Sequence, residues 1–382
     1  MPNTGNRRLH IVHTESSLGW GGQEIRILTE AEGMIRRGHQ VTLLCPPEAK
    51  IYAEAGLRNI AVTGLPMARK NLRGVYALFR WLKANPMAVV NTHSSTDSWL
   101  VALATQCFKK APPIVRTRHI SPAIANNIPT RWLYTKAARH IVTTGENLRQ
   151  QLITDNGYPA QHITSVPTGI DMNYFVPGDV VQARKRLGLA QDGYIIGILA
   201  TLRSWKGHRY LLEAFAQLTD KNIRLMIVGD GPQREALQQK IAELNIGNRV
   251  VMPGNQRDVL PWLQAMDIFV LPSYANEGVP QAILQAMACG LPVITTPVGS
   301  ITEVVEHEVT GLITEPQQVQ PLLETMYRLL EDTRLRHTLG SNAHHLAQQK
   351  FGLDIMLDKM ELIFDKVAAG HTFTLVSCKS HS

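Results

Sequence analysis

Residues 268–295 read IFVLPSYANEGVPQAILQAMACGLPVIT. An apolar run at 268–271 gives way to a polar, glycine-containing loop, a helical period follows over 280–288, and a second apolar run fills 293–295. Strands buried on both faces of a parallel sheet read as near-continuous apolar runs, and parallel neighbours need a crossover that is usually a helix. The segment therefore predicts one strand–helix–strand unit. The same alternation extends upstream. Runs at 194–199, 225–228 and 250–252 read as strands, with helical patterns at 233–244 and 259–265. In the first half, 9–12, 41–44, 88–91, 114–116 and 140–143 read as strands, and 25–36, 75–83 and 98–108 as helices. Repeated βα units imply an α/β fold built on parallel sheets.

A chain of 382 residues is too long for one comfortable core, so two domains are expected. Proline and glycine concentrate in VPTGIDMNYFVPG, residues 166–178, which predicts the boundary. The expected division is a first domain at 1–170, a second at 171–352, a final amphipathic helix at 353–369 returning toward the first domain, and a frayed tail at 370–382. Hydrophobic content of 44% and charged content of 18% exclude a disordered or fibrous chain. The four cysteines, Cys45, Cys107, Cys289 and Cys378, show no metal-binding spacing and read as reduced thiols. The N-terminal apolar run is too short for a signal peptide, and no run approaches a spanning helix, so a cytoplasmic protein is expected.

Charge is unevenly spread. Residues 1–168 hold 20 Lys/Arg against 9 Asp/Glu, a net of +11, whereas the remainder nets −3. Anionic lipid, an anionic acceptor or nucleic acid each accounts for the basic half, and so does a solvated surface with no partner. No recognisable nucleic-acid-binding module accompanies the charge, so that partner is not expected.

Three features of the second half converge on phosphate and sugar chemistry. In LATLRSWKGH, residues 199–208, Arg203 and Lys206 sit on the turn after a strand, where ligands of open parallel sheets bind. Two cations there would balance charge on a departing diphosphate, although solvated turn cations fit the same pattern. In LMIVGDGPQREA, residues 225–236, Gly229 and Gly231 lead into a helix. They admit either a base or ribose, or simply a tight turn. In the third segment Glu277 and Gly278 precede Val279 and Pro280, which open a helix whose first amides and dipole attract phosphate. Gln285 follows about 7 Å along the axis at ~1.5 Å per residue.

Taken together, these segments resemble the retaining family-4 glycosyltransferases of GT-B architecture, two Rossmann-like domains facing each other across a cleft. The likeness covers nearly the whole chain. It adds Gly21-Gly22 before the first helix and VPTGID at 166–171. The resemblance implies a nucleotide-diphosphate sugar as co-substrate, held mainly by the second half, and a glycan or glycolipid acceptor held mainly by the first. Carried over position by position, Arg203 and Lys206 neutralise the diphosphate, Glu277 holds hydroxyls of the donor sugar, and Gly21 and Gly22 bring amides to the same phosphates. His119 lines the reaction site. His93 serves either loop structure or the acceptor. Where the family motif ends in glutamate, this chain has Gln285, whose amide still donates and accepts hydrogen bonds near the nucleotide ribose.

The resemblance implies transfer with retention; Arg203, Lys206 and the helix end at Pro280 make a divalent metal unnecessary, and no Asp-x-Asp pair is present to hold one. By analogy, acceptors in lipopolysaccharide, O-antigen or capsule assembly are implied. Basic residues interleaved with aromatics at 69–83 offer a peripheral contact with an anionic inner membrane face; a helix whose aromatics turn to the core is the competing reading. Two rivals remain for the whole chain: a non-hydrolysing nucleotide-sugar epimerase and a non-catalytic nucleotide-sugar-binding subunit.

Overall fold

A computed structural model describes residues 8–120, 122–275 and 277–369. The expectations for 370–382, including Cys378, lie outside the described residues. The chain forms two units: one runs to Pro167 and resumes at Met356, and the other is Thr168–Ile355.

The first unit is built on a sheet of β1 (His10–Thr14), β2 (Gln40–Cys45), β3 (Ala61–Gly64), β4 (Val89–Thr92), β5 (Ile114–Arg118), β6 (Ala138–Thr143) and β7 (Ile163–Ser165). All neighbours are parallel, in the order β3-β2-β1-β4-β5-β6-β7. The central strands carry the apolar runs and are buried throughout their middles, as Ile11, Val90, Val115 and Val142 show. Strands β3 and β7 had no apolar run to announce them. The first has no buried residue, and the second is three residues long.

The second unit contains β8 (Ile195–Leu199), β9 (Arg224–Val228), β10 (Val250–Gly254), β11 (Ile268–Leu271), β12 (Val293–Thr295) and β13 (Leu312–Ile313). These too are parallel, in the order β10-β9-β8-β11-β12-β13. The opening segment is the predicted strand–helix–strand unit, with its helix at Gln281–Ala288. Pro280 is that helix's N-cap and not its first residue, because its ψ of 122° is extended. Helices at Val319–Glu331 and Thr333–Lys350 were not expected from the sequence.

The helix Leu72–Ala84 divides the two readings of the basic aromatic stretch. Leu78 and Leu82 are buried, and Phe79 and Trp81 pack partly against the same core. Leu72 and Tyr76 remain 85% and 62% exposed beside the exposed Arg73, Arg80 and Lys83. The final helix, Leu353–Ala369, packs on the first unit from Met356 onward. Leu357 fills a notch at Gly33, where a Cβ would lie 2.4 Å from Leu357 Cδ1. Arg37 closes the contact with ion pairs to Asp358 (2.7 Å) and Glu361 (2.8 Å). Among the described residues no helix is long and apolar enough to cross a membrane.

Candidate functional site

In the second unit the strand order reverses between β8 and β11. Loops leaving the carboxyl ends of such a pair part from each other and open a crevice, the usual ligand position in this kind of sheet. Lys206 stands on the loop after β8, and Ser273 and Glu277 on the loop after β11. Lys206 Nζ lies 2.6 Å from Glu277 Oε1, and Ser273 Oγ donates to the same oxygen at 2.6 Å. Both charged side chains are largely shielded, with 18% of Lys206 and 6% of Glu277 exposed. Sequence reasoning gave these two residues separate tasks; the structure makes them an ion pair. Ser273 was missed, for nothing about an isolated serine before a loop marks it.

The backbone holds this cluster in place. Tyr274 N–H donates to Trp205 carbonyl at 2.8 Å, tying the two loops together. Gly207 has φ +75°, and a Cβ there would come within 2.0 Å of the Pro272 carbonyl oxygen. Gly299, at φ +62°, approaches the Glu277 carbonyl oxygen equally closely, again 2.0 Å from an added Cβ. Thr296 Oγ1 donates to the Ser273 carbonyl. Glu277 is thereby fixed through both its carboxylate and its peptide.

The remaining candidates of this unit are arranged around that centre. Arg203 is exposed, with its guanidinium carbon 5.6 Å from the centroid of the Trp205 ring, a cation–π distance. Gly278, Val279 and Pro280 are buried, and they lead into the helix Gln281–Ala288, whose N-terminus no side chain caps. Gln285 is buried in the second turn of that helix. Gly229 and Gly231 are explained by loop packing: an added Cβ would lie 2.0 Å from the Ala200 carbonyl oxygen and 2.7 Å from that of Leu202. Their missing side chains are required by the protein's own backbone, with or without a ligand. His208, which sequence reasoning passed over, is buried at the start of the next helix, and burial lowers its pKa to about 3.

In the first unit the strand order reverses between β1 and β4. Gly21 is the extended N-cap and Gly22 the first residue of the helix Gly22–Arg36, again without a side-chain cap. Beneath them Glu15 is fully buried, accepts from Ser17 N–H at 2.7 Å and from the Gln23 amide, and titrates at about 8, raised by burial and by Asp97 and Glu24. His119, on the loop after β5, is half-buried, and its Nε2 lies 3.0 Å from His93 Nδ1. His93 in turn lies 2.9 Å from His13. Burial and the nearby Arg26 and Arg116 hold His119 well below the ordinary imidazole range, so it is neutral at pH 7. Among the described residues no group of three or more His, Cys, Asp or Glu is arranged to hold a metal ion.

Two Rossmann-like units, each with buried polar groups gathered where its strand order reverses, define the GT-B class of fold. Residues 179–346 match the family "Glycosyl transferases group 1", and residues 20–174 match "Glycosyltransferase Family 4". The chain belongs to this glycosyltransferase family, whose members are retaining. It is 30% identical over 207 residues to the N-acetyl-alpha-D-glucosaminyl L-malate synthase of Bacillus anthracis, a match spanning 54% of each chain, so it covers about half of that relative. It is 24% identical over 379 residues to the UDP-Gal:alpha-D-GlcNAc-diphosphoundecaprenol alpha-1,3-galactosyltransferase of Escherichia coli, covering 94% of this chain and 97% of the relative. Anabaena HepE, solved in complex with UDP and glucose, superposes with a TM-score of 0.83 at 22% identity, over 94% of this chain and all of the other.

Proposed function

We propose that this chain transfers a sugar from a nucleotide-diphosphate donor to an acceptor hydroxyl with retention of configuration, in the assembly of a cell-envelope glycan. The observation that carries the reading is the Lys206–Glu277–Ser273 cluster beside an uncapped helix start. An ammonium has three donors. Pairing with Glu277 aims Lys206 while leaving donors for phosphate oxygens. Arg203 and the leading amides of the helix Gln281–Ala288 add positive potential for the same phosphates. Glu277, held by Lys206 and Ser273, accepts hydroxyls of the donor sugar, and Gln285 reaches the ribose.

In the reaction the bond from the anomeric carbon to the phosphate oxygen breaks, and its electron pair leaves with the nucleoside diphosphate. The acceptor oxygen bonds to the same carbon on the same face, and its proton passes to the departing phosphate. Preorganised cations lower the barrier because they meet charge that grows during the step. The acceptor is bound by the first unit, where His119 lines the reaction site. The E. coli relative acts on a diphosphoundecaprenol-linked sugar, which supports a lipid-linked acceptor here. A peripheral position on the cytoplasmic face of the membrane is consistent with this and is supported by the outward Leu72, Arg73, Tyr76, Arg80 and Lys83.

A thermal-shift screen with UDP, GDP, ADP and CMP tests the reading, because a ligand at ~100 times its Kd stabilises by about 2.7 kcal/mol. One nucleoside diphosphate should raise Tm clearly above the others, and its sugar should then be transferred with the donor's anomeric configuration. Failure of all four, or release of an epimerised nucleotide sugar with no acceptor present, overturns the proposal.

A further inference from the structure

Three imidazoles in the first unit meet end to end. His13 lies on β1, His93 follows β4 and His119 follows β5, three adjacent strands of one parallel sheet. His13 Nδ1 is 2.9 Å from His93 Nε2, and His93 Nδ1 is 3.0 Å from His119 Nε2. At the inner end, His13 Nε2 is fully buried, has no hydrogen-bond partner, and faces Glu30 Oε1 at 4.0 Å. Glu30 is itself fully buried; Asn91 Nδ2 donates to Oε1 at 3.3 Å, and Arg26 Nε stands 3.8 Å from Oε2. Thr117 Oγ1 donates to Asn91 Oδ1 at 2.8 Å, which turns the Asn91 amide nitrogen toward the carboxylate.

All three rings are neutral near pH 7. Burial lowers His13 to about 3, and burial with Arg26 and Arg116 lowers His93 and His119 well below the ordinary range. A neutral imidazole has one N–H and one lone pair. His93 uses both nitrogens, so its two contacts must run in the same sense. Either all three rings carry the proton on Nε2, or all three carry it on Nδ1. In the first arrangement His13 turns an N–H toward Glu30; in the second it turns a lone pair toward it, which is unfavourable once Glu30 is ionised, as it is above the value of about 7 to which burial raises it against the pull of Arg26 and Asn91. At 4.0 Å this is a charge–dipole preference and not a hydrogen bond, and the dry surroundings strengthen it.

We propose that Glu30, His13 and His93 are positioning residues that lock His119 as its Nε2–H tautomer, leaving Nδ1 as an acceptor for a substrate hydroxyl. The substrate half of this statement rests on the sugar-transfer reading; the tautomer does not. Reversal at any ring requires reversal at all three, so a charge at Glu30 decides which atom His119 presents at the far end.

The test is two-bond ¹H–¹⁵N correlation of the ¹⁵N-histidine-labelled full chain at pH 8.5, where Glu30, raised by burial to about 7, is ionised, without substrate. His13, His93 and His119 should all appear as neutral Nε2–H rings. Glu30→Gln, checked for folding by thermal melting, should move His119 into a mixture containing the Nδ1–H form and lower kcat about tenfold with KM little changed. Glu30→Asp, which keeps the charge, should retain the Nε2–H form. A merely structural Glu30 would lower Tm in the Gln variant and leave the His119 tautomer unchanged, and that result overturns the proposal. So does an Nδ1–H His119 in the unmodified protein. If Glu30→Gln does not fold, His13→Phe replaces it, since it removes the acceptor of the His93 Nε2–H; an unchanged His119 tautomer there is equally decisive. A locked tautomer with no sugar transfer on any donor would instead defeat the reading of the reaction while the lock stands.

Discussion

Lys206 Nζ and Glu277 Oε1 meet at 2.6 Å although 71 positions of sequence separate them. Removing one member of a shielded ion pair strands the other charge, which costs more than removing both. Lys206→Met should therefore lower Tm more than the double variant Lys206→Met/Glu277→Gln, a non-additivity that the cycle completed by Glu277→Gln reads directly. In steady-state kinetics Lys206→Ala should reduce kcat by about 10²–10³, the range for loss of one preorganised charge stabiliser. Single-variant losses that sum to the loss of the double variant would show that the pair is not coupled.

Gly299→Ala tests how Glu277 is held. The new Cβ would meet the Glu277 carbonyl oxygen at 2.0 Å with the backbone at φ +62°. Strain of this kind costs about 1–3 kcal/mol. The variant should melt lower and lose activity, while Gly188→Ala, at φ +65° with nothing within 4 Å of its Cβ, should lose stability but not activity.

Much of this architecture was legible in advance, and the exceptions share a cause. Strands such as Ile268–Leu271 and Val293–Thr295 are apolar because both faces are covered, and a one-dimensional pattern records that burial. The half-exposed β3, Ala61–Gly64, leaves no such record. Among the candidate site residues, Arg203, Lys206 and Glu277 stood out by residue type and position after strands, and His119 only by the family resemblance. Their partners were not. Ser273 and His13 acquire meaning only once the sheet order sets β8 beside β11 and β1 beside β4, and no local period encodes which strands become neighbours. The glycines Gly229 and Gly231 show the converse: a ligand-like motif whose spacing loop packing alone explains.

Stability should vary with pH on both sides of a maximum. Glu15 titrates at about 8 and Glu30 at about 7, against 4.5 when unfolded. Above 4.5 the unfolded chain has released protons that the native state retains, so these two groups lose stability as pH rises through 7 to 8. His13 and His208 titrate at about 3 against 6.5 unfolded, so they lose stability as pH falls below 6.5. Between 4.5 and 6.5 the two pairs oppose each other, so the native state should resist urea about equally across that window and less well above 6.5 and below 4.5. Urea midpoints from pH 5 to 9 check this, and Glu15→Gln should flatten the alkaline limb. An unaltered limb in that variant would remove burial of Glu15 as its cause.

Activity should persist in excess EDTA, since Lys206, Arg203 and a helix start supply the charge that a divalent ion would otherwise bring. Initial rates with and without chelator decide the point; complete loss, restored by Mg²⁺ or Mn²⁺, would require a metal in the reaction.

Vesicle sedimentation addresses the outward face of the helix Leu72–Ala84. The protein should pellet with anionic vesicles more than with neutral ones, and the preference should shrink at high salt, because exposed charges are screened. Arg73→Glu with Lys83→Glu should weaken it while leaving Tm nearly unchanged. Equal partitioning onto both vesicle types would exclude electrostatic attachment.

The notch at Gly33 is filled by Leu357, and the ring of Phe364 stands edge-on to His13 at 6.4 Å between centroids. The piece that completes the first unit thus follows the whole of the second in sequence. A product clipped after residue 355 would keep the second unit whole and leave the first unfinished.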